Sequence, residues 1–198
     1  RTLIGIDDGD RIVKEGQGIR LVAKISGEVP DRAGIILRTG KGKPRERRLS
    51  VVDGVCEYEA ETVFRSFDYR IVAGDAESDW HTVQVISAPR IERAEVTFEF
   101  PDYTRRPIEN VEALTFTVPE GTKIHWNLTL DRAVGEAEFR PAEGKALPLK
   151  IGKDGRSVRM QQVAAGSRAY SFGWIDKEHG FEFSSPRHYL QVAPDRAP

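Results

Sequence analysis

Three carboxylates fall within four residues at Asp7-Asp8-Gly9-Asp10, and hard cations such as calcium are held by clustered carboxylate oxygens. A calcium loop also needs a distal bidentate glutamate at fixed spacing, which is missing here, so the cluster reads as a turn between Ile6 and Ile12. The four histidines, His81, His125, His179 and His188, show no short ligand spacing, and the single cysteine, Cys56, supplies only one thiolate to a zinc site. His125 alternates with Ile124 and Trp126, which assigns it to the outward face of a strand, and solvated histidines are expected. Nucleophilic chemistry has no better footing. There is no G-x-S-x-G elbow, and Cys56 lies in the alternating run Cys56, Tyr58, Ala60, where it reads as a small core side chain. No pair among the 31 acidic residues is set apart for general acid–base work. The residue types therefore assign no catalytic, metal-binding or cofactor-binding group, and no enzyme is expected.

Binding chemistry has more candidates. Lys41, Lys43, Arg45, Arg47 and Arg48 are interleaved with Gly40, Gly42 and Pro44, the composition of a hairpin tip carrying concentrated positive charge. Such a tip suits a phosphate, a polyanionic glycan or an acidic protein. Nucleic acid is not expected, because no aromatics alternate with these cations and the whole chain carries a net charge of −1. Trp80, Trp126, Trp174 and Tyr103 invite a sugar-stacking reading. Trp126 and Trp174 sit at strand period among apolar residues and read as core, which leaves Trp80 and Tyr103 for a platform. The segment FEFPDYTRRP (98–107) has both characters. Val96, Phe98 and Phe100 read as an inward strand face, Pro101 as its stop, and Tyr103 as a plug beneath the following loop. Arg105 and Arg106 remain as contact candidates. Asn127-Leu128-Thr129 is a formal glycosylation sequon on an outward face.

The elements that must hold these residues are strands. Period-two alternation marks Ile19, Leu21, Ala23 and Ile25, then Tyr69, Ile71 and Ala73, then Ile124, Trp126, Leu128 and Leu130. Turn clusters separate them: DDGD, TGKGKP, VDGV, AGDAESD, PEG, KDG and KEHG. No stretch keeps a 3.6-residue period, and no apolar run approaches the roughly 18 residues of a membrane span. Arginine at position 1 and a lone methionine at 160 point to a segment of a longer protein, with any anchor outside it. The pattern also repeats. Glu15-Gly16 leading to Ile19, Leu21, Ala23 and Ile25 recurs 105 positions later as Glu120-Gly121 leading to Ile124, Trp126, Leu128 and Leu130. Tyr69-Arg-Ile71-Val-Ala73 recurs 101 positions on as Tyr170-Ser-Phe172-Gly-Trp174. Two similar β units are therefore expected, 1–89 and 90–198, joined near Pro89-Arg90-Ile91.

About seven short strands per hundred residues predict an all-β chain of two tandem immunoglobulin-like or fibronectin-type antiparallel β-sandwiches, with a seven-strand barrel as the competing shape. Tyr69 and Tyr170 match the tyrosine near the start of a penultimate strand, whose hydroxyl bonds to nearby backbone. Where an antibody-type domain carries its second disulfide cysteine, this chain has Ile71 and Phe172, so apolar packing is expected instead.

The order of SFDYRIVAGDAESDW, VQVISAPRI, VTFEFPDYTRRP and VPEGTKIHW resembles the repeated β-sandwich region of large, membrane-anchored bacterial envelope proteins of unknown function. The likeness spans about residues 10 to 130. The chain departs from it at Arg105-Arg106, where that group continues after its Tyr-Thr with glycine and leucine. The resemblance implies exposure outside the cytoplasm, in the periplasm, with membrane helices elsewhere in the full protein, and it brings no catalytic residues. The expected role is a non-catalytic spacer and interaction module, whose partner is a protein or an envelope polysaccharide. A glycan-binding module using Trp80 and Tyr103 is the alternative.

Overall fold

The computed structural model describes residues 1–194. It divides into two compact units, Arg1–Ser87 and the chain from Ala88 onward.

Unit 1 contains β1 (Thr2–Ile6), β2 (Arg11–Lys14), β3 (Ile19–Gly27), β4 (Arg32–Arg38), β5 (Arg45–Val52), β6 (Val55–Ala60), β7 (Phe67–Ala73), β8 (Ala76–Glu77) and β9 (His81–Ile86). One sheet runs β1–β3–β6 and the other β5–β4–β7–β9–β2, with β8 on β7. β5 belongs to both. Its first part pairs with β4 from Leu37↔Arg45 to Arg32↔Ser50, and its end turns over to pair with β6 at Val51↔Cys56. The path stays open, because its terminal strands β1 and β2 do not pair with each other. That excludes a closed barrel.

Alternation fixes the interior. Ile19, Leu21, Ala23 and Ile25 of β3 face Ile35 of β4, Tyr69 and Ile71 of β7 and Val83 of β9 in one buried cluster that also encloses Cys56. The β5–β6 turn is Asp53-Gly54, both at positive φ (51° and 74°), which matches the strand twist of a two-residue hairpin.

Unit 2 contains β10 (Ile91–Glu99), β11 (Glu109–Val111), β12 (Phe116–Pro119), β13 (Lys123–Leu130), β14 (Val134–Pro141), β15 (Leu147–Pro148), β16 (Lys150–Ile151), β17 (Ser157–Val163), β18 (Arg168–Asp176), β19 (Glu182–Ser184) and β20 (His188–Ala193). A single 3₁₀ turn at Asp102–Thr104 is the only helical element among the described residues. The sheets are β11–β10–β13–β17–β16 and β12–β20–β18–β14–β15, with β19 on β18. The core is aromatic. Trp126 of β13 packs on Phe139 of β14 and Tyr170 of β18 at ring separations of 5.6 and 6.1 Å, and Phe172 stacks on Trp174 at 5.5 Å.

In each unit the first strand is split between the sheets. β1 and β10 pair antiparallel with β3 and β13, whereas β2 and β12 pair parallel with the last strands β9 and β20. Those two parallel ladders depart from the wholly antiparallel expectation. First, second and fifth strands in one sheet, with third, sixth and seventh in the other, make an immunoglobulin-like sandwich. The chain is thus all-β, with two such sandwiches in tandem. Ile71 and Phe172 are buried where a disulfide would otherwise lie.

Candidate functional site

The β4–β5 hairpin turns through Thr39–Pro44, closed by the Gly42 N–H donating to the Thr39 carbonyl at 3.0 Å, with Gly40 at φ 55°. Lys41, Lys43, Arg45, Arg47 and Arg48 are all exposed, and none has an ion-pair partner among the described residues. Glu46, the one acid within the run, folds over Gly34: a Cβ there would lie 2.7 Å from Glu46 Oε1. Gly34 is the strand partner of Arg48, so the Glu46 carboxylate lies on that arginine's face of the hairpin, while Arg45 and Arg47 alternate to the other face and Lys41 and Lys43 lie in the turn itself.

Beside it, the outward face of the second sheet carries an ordered polar row. Register places Arg38 opposite Asp68, and Asp68 opposite Thr82, across β4, β7 and β9. Arg38 Nη2 donates to Asp68 Oδ2 at 3.0 Å, and Thr82 Oγ1 donates to Asp68 Oδ1 at 2.9 Å. The Arg38 hydrogen bond, helped by Thr82, holds the Asp68 carboxyl below its ordinary range. Arg70 pairs with Glu77 at 2.6 Å, and its Nε is buried without a partner. Trp80, 37% exposed, has the Arg38 and Arg70 guanidinium carbons 4.4 and 5.0 Å from its ring centroid. Its π surface is engaged by cations, so a sugar stacking there has to displace them.

The unit 2 candidates behave differently. Arg105 ends the 3₁₀ turn at φ 52°, its N–H donating to the Asp102 carbonyl, and its side chain is exposed. Arg106 lies 3.7 Å above the Phe100 ring centroid and donates to Glu109 Oε1 at 2.9 Å, so this arginine braces the loop. Tyr103 is not a buried plug. It is 57% exposed, its hydroxyl reaching the Glu120 carbonyl at 3.4 Å across the loop surface, because β10 already ends at Glu99 and the turn lifts the ring away from the core. Lys41, Lys43, Arg45 and Trp80 belong to unit 1, and Tyr103, Arg105 and Arg106 to unit 2.

The histidines are half-buried, not solvated. His125 lies 3.0 Å from Glu99 Oε1, close enough for an ion pair but without hydrogen-bond alignment at its buried Nε2. His81 and His188 occupy the same register position in the two units, opposite Tyr69 and Tyr170, at ring separations of 5.5 and 5.6 Å. Sequence reasoning missed this pair because the tyrosine-to-histidine spacing is 12 in one copy and 18 in the other. The tyrosine hydroxyls also differ from expectation. Tyr69 donates to the Gly9 carbonyl at 2.7 Å and Tyr170 to the Leu114 carbonyl, acceptors 60 and 56 residues upstream where the first strand changes sheet. Burial pushes both phenols up to about 12.

No protein-family model matches the chain, and no curated protein matches it. Among solved structures it is similar to two chains of marsupial T cell receptors, each 11% identical and covering 93% of this chain and 99% or 98% of the receptor chain, with TM-scores of 0.39 and 0.37. The immunoglobulin-like assignment accordingly rests on the strand order and pairing within each unit.

Proposed function

We propose that the chain is a non-catalytic interaction and spacer segment of a bacterial membrane-anchored envelope protein, displayed outside the cytoplasm, and that unit 1 grips an acidic envelope polysaccharide through the β4–β5 hairpin. The observation that carries this reading is the set of five cations at 41, 43, 45, 47 and 48, none with an ion-pair partner among the described residues. Exposed cations without ion-pair partners on a hairpin favour a polyanion by screened attraction, and they leave the partner's detailed shape unspecified. The order of motifs between residues 10 and 130 supports the envelope location. A neutral-sugar platform is less favoured, since the Trp80 ring already carries Arg38 and Arg70.

Calorimetry of the 198-residue chain against polygalacturonate and against neutral dextran tests the proposal. Polygalacturonate should bind, weakening as salt rises, and dextran should not. The triple variant Lys41→Ser, Lys43→Ser, Arg45→Ser should lose about tenfold or more in affinity, which corresponds to roughly 1.4 kcal/mol. Unchanged affinity in the triple variant, or equal binding of dextran, removes the hairpin from the function. Protease accessibility of the full-length gene product in intact cells tests the location separately.

A further inference from the structure

The two units differ most where the first strand changes sheet. In unit 1 the crossing takes four residues, Asp7–Asp10. Gly9 lies so close to His81 that a Cβ would sit 2.1 Å from its Nδ1, and Asp10 Oδ1 accepts the Thr82 N–H at 2.8 Å. At the start of β1, Asp75 Oδ1 accepts the Thr2 N–H at 3.1 Å. In unit 2 the same crossing takes sixteen residues, 100–115, and carries the 3₁₀ turn and β11. β11 covers the edge of β10 only at Val96–Phe98, so among the described residues Ile91–Glu95 has no strand on that side.

The longer crossing leaves a cleft of about 900 Å³, walled by the chain from Ala88 to Ala94, by Glu112 and Leu114, and by Ser184–Pro186 with His188. Its volume lies within the range of ligand sites, roughly 300–1,000 Å³. Pro89, Ile91, Ala94 and Leu114 make the walls mainly apolar. His188 Nε2 is buried there with no hydrogen-bond partner, and burial lowers the ring's pKa, which favours the neutral imidazole. Arg90, Glu92 and Arg93 are already committed to Asp131, Arg156 and Glu95. Glu112 has no such partner among the described residues, so the uncommitted charge at the cleft is negative.

We propose that this cleft binds an extended peptide from another protein, added as a strand to the open edge of β10 at Ile91–Glu95, with an apolar side chain in the cleft and a basic side chain at Glu112. An unpaired strand edge supplies backbone donors and acceptors to a peptide, and alternate side-chain pockets supply selectivity. Small ligands without a backbone use only the walls and leave the edge unpaired.

A five-residue blocked peptide of alternating valine and lysine is the probe, titrated into the isotopically labelled 198-residue chain and followed by amide shifts. Saturable shifts at Ile91–Glu95 and at His188 are expected. Methylating alternate backbone nitrogens of the peptide, which removes strand pairing and keeps the side chains, should weaken binding about tenfold or more. Glu112→Lys, an exposed substitution, should weaken the lysine peptide and strengthen its glutamate counterpart. Absence of saturable shifts at millimolar peptide overturns the proposal. So do shifts confined to other surfaces, equal binding of the methylated peptide, or indifference to Glu112→Lys.

Discussion

Cys56 shows how far one position can be taken from the sequence. Alternation with Tyr58 and Ala60 assigns it inward, and it is 1% exposed, opposite Ala23 of β3 and Val51 of β5. Burial raises its thiol pKa, so both access and thiolate fraction are suppressed. Native chain should resist a disulfide reagent at pH 8, reacting about a thousandfold more slowly than urea-unfolded chain, because labelling requires local opening. Labelling of the folded chain at the free-thiol rate would place Cys56 outside the core. The tyrosines Tyr69 and Tyr170 were also legible by position, but their acceptors were not. Hydroxyl partners 60 and 56 residues away are set by where the first strand switches sheet, and no local spacing encodes that.

At the scale of elements, local signals carried the faces and most turns. The inward sets on β3, β7 and β13 follow alternation, and KEHG marks the β18–β19 turn. The residue that fastens this turn was hidden, because Asp176 at the end of β18 looks like any strand-end acid. Its Oδ1 accepts the Phe181 N–H at 2.8 Å, and its Oδ2 accepts the N–H groups of His179 and Glu178 at 2.8 and 3.1 Å. Burial disfavours the charge, but the backbone N–H groups of His179 and Phe181, with the His179 ring 3.3 Å away, outweigh it and lower the carboxyl pKa. A depressed folded pKa contributes stability above the unfolded value, near 3.9, and that contribution fades as pH falls through the folded value. Asp176→Asn should therefore cost about 1–3 kcal/mol at pH 6, the scale of hydrogen bonds to a charged group. The cost should shrink toward pH 3, below the unfolded value, because the unfolded carboxylate then takes up a proton that the native one resists. Urea unfolding at both pH values checks this, and an equal loss at both would assign the role to shape and not to charge.

For the whole molecule, the two-copy pattern in the sequence corresponds to two sandwiches with the same split first strand, yet the copies solve the crossing differently. Repeat offsets of 105 and 101 between matched motifs could be read directly. The parallel ladders β2–β9 and β12–β20 could not, because they join strands some 70 residues apart and depend on the sheets having already formed. Each unit has its own buried cluster. In unit 1 it runs from Val13 to Val83, and every strand pairing of that unit lies within residues 1–87. A chain ended after Ser87 should therefore fold alone, since domains of this length bury enough surface to be stable without staples. The expected outcome is a β-type circular dichroism spectrum and a single cooperative urea transition for 1–87. A second prediction at this scale concerns fluorescence: Trp126 and Trp174, both essentially unexposed, lie in unit 2, so the fragment should report Trp80 alone. Acrylamide should quench that partly exposed indole readily in the fragment and in the longer chain alike. A fragment without a cooperative transition would mean that unit 1 draws its stability from residues beyond Ser87, and the two-unit description would then have to be given up.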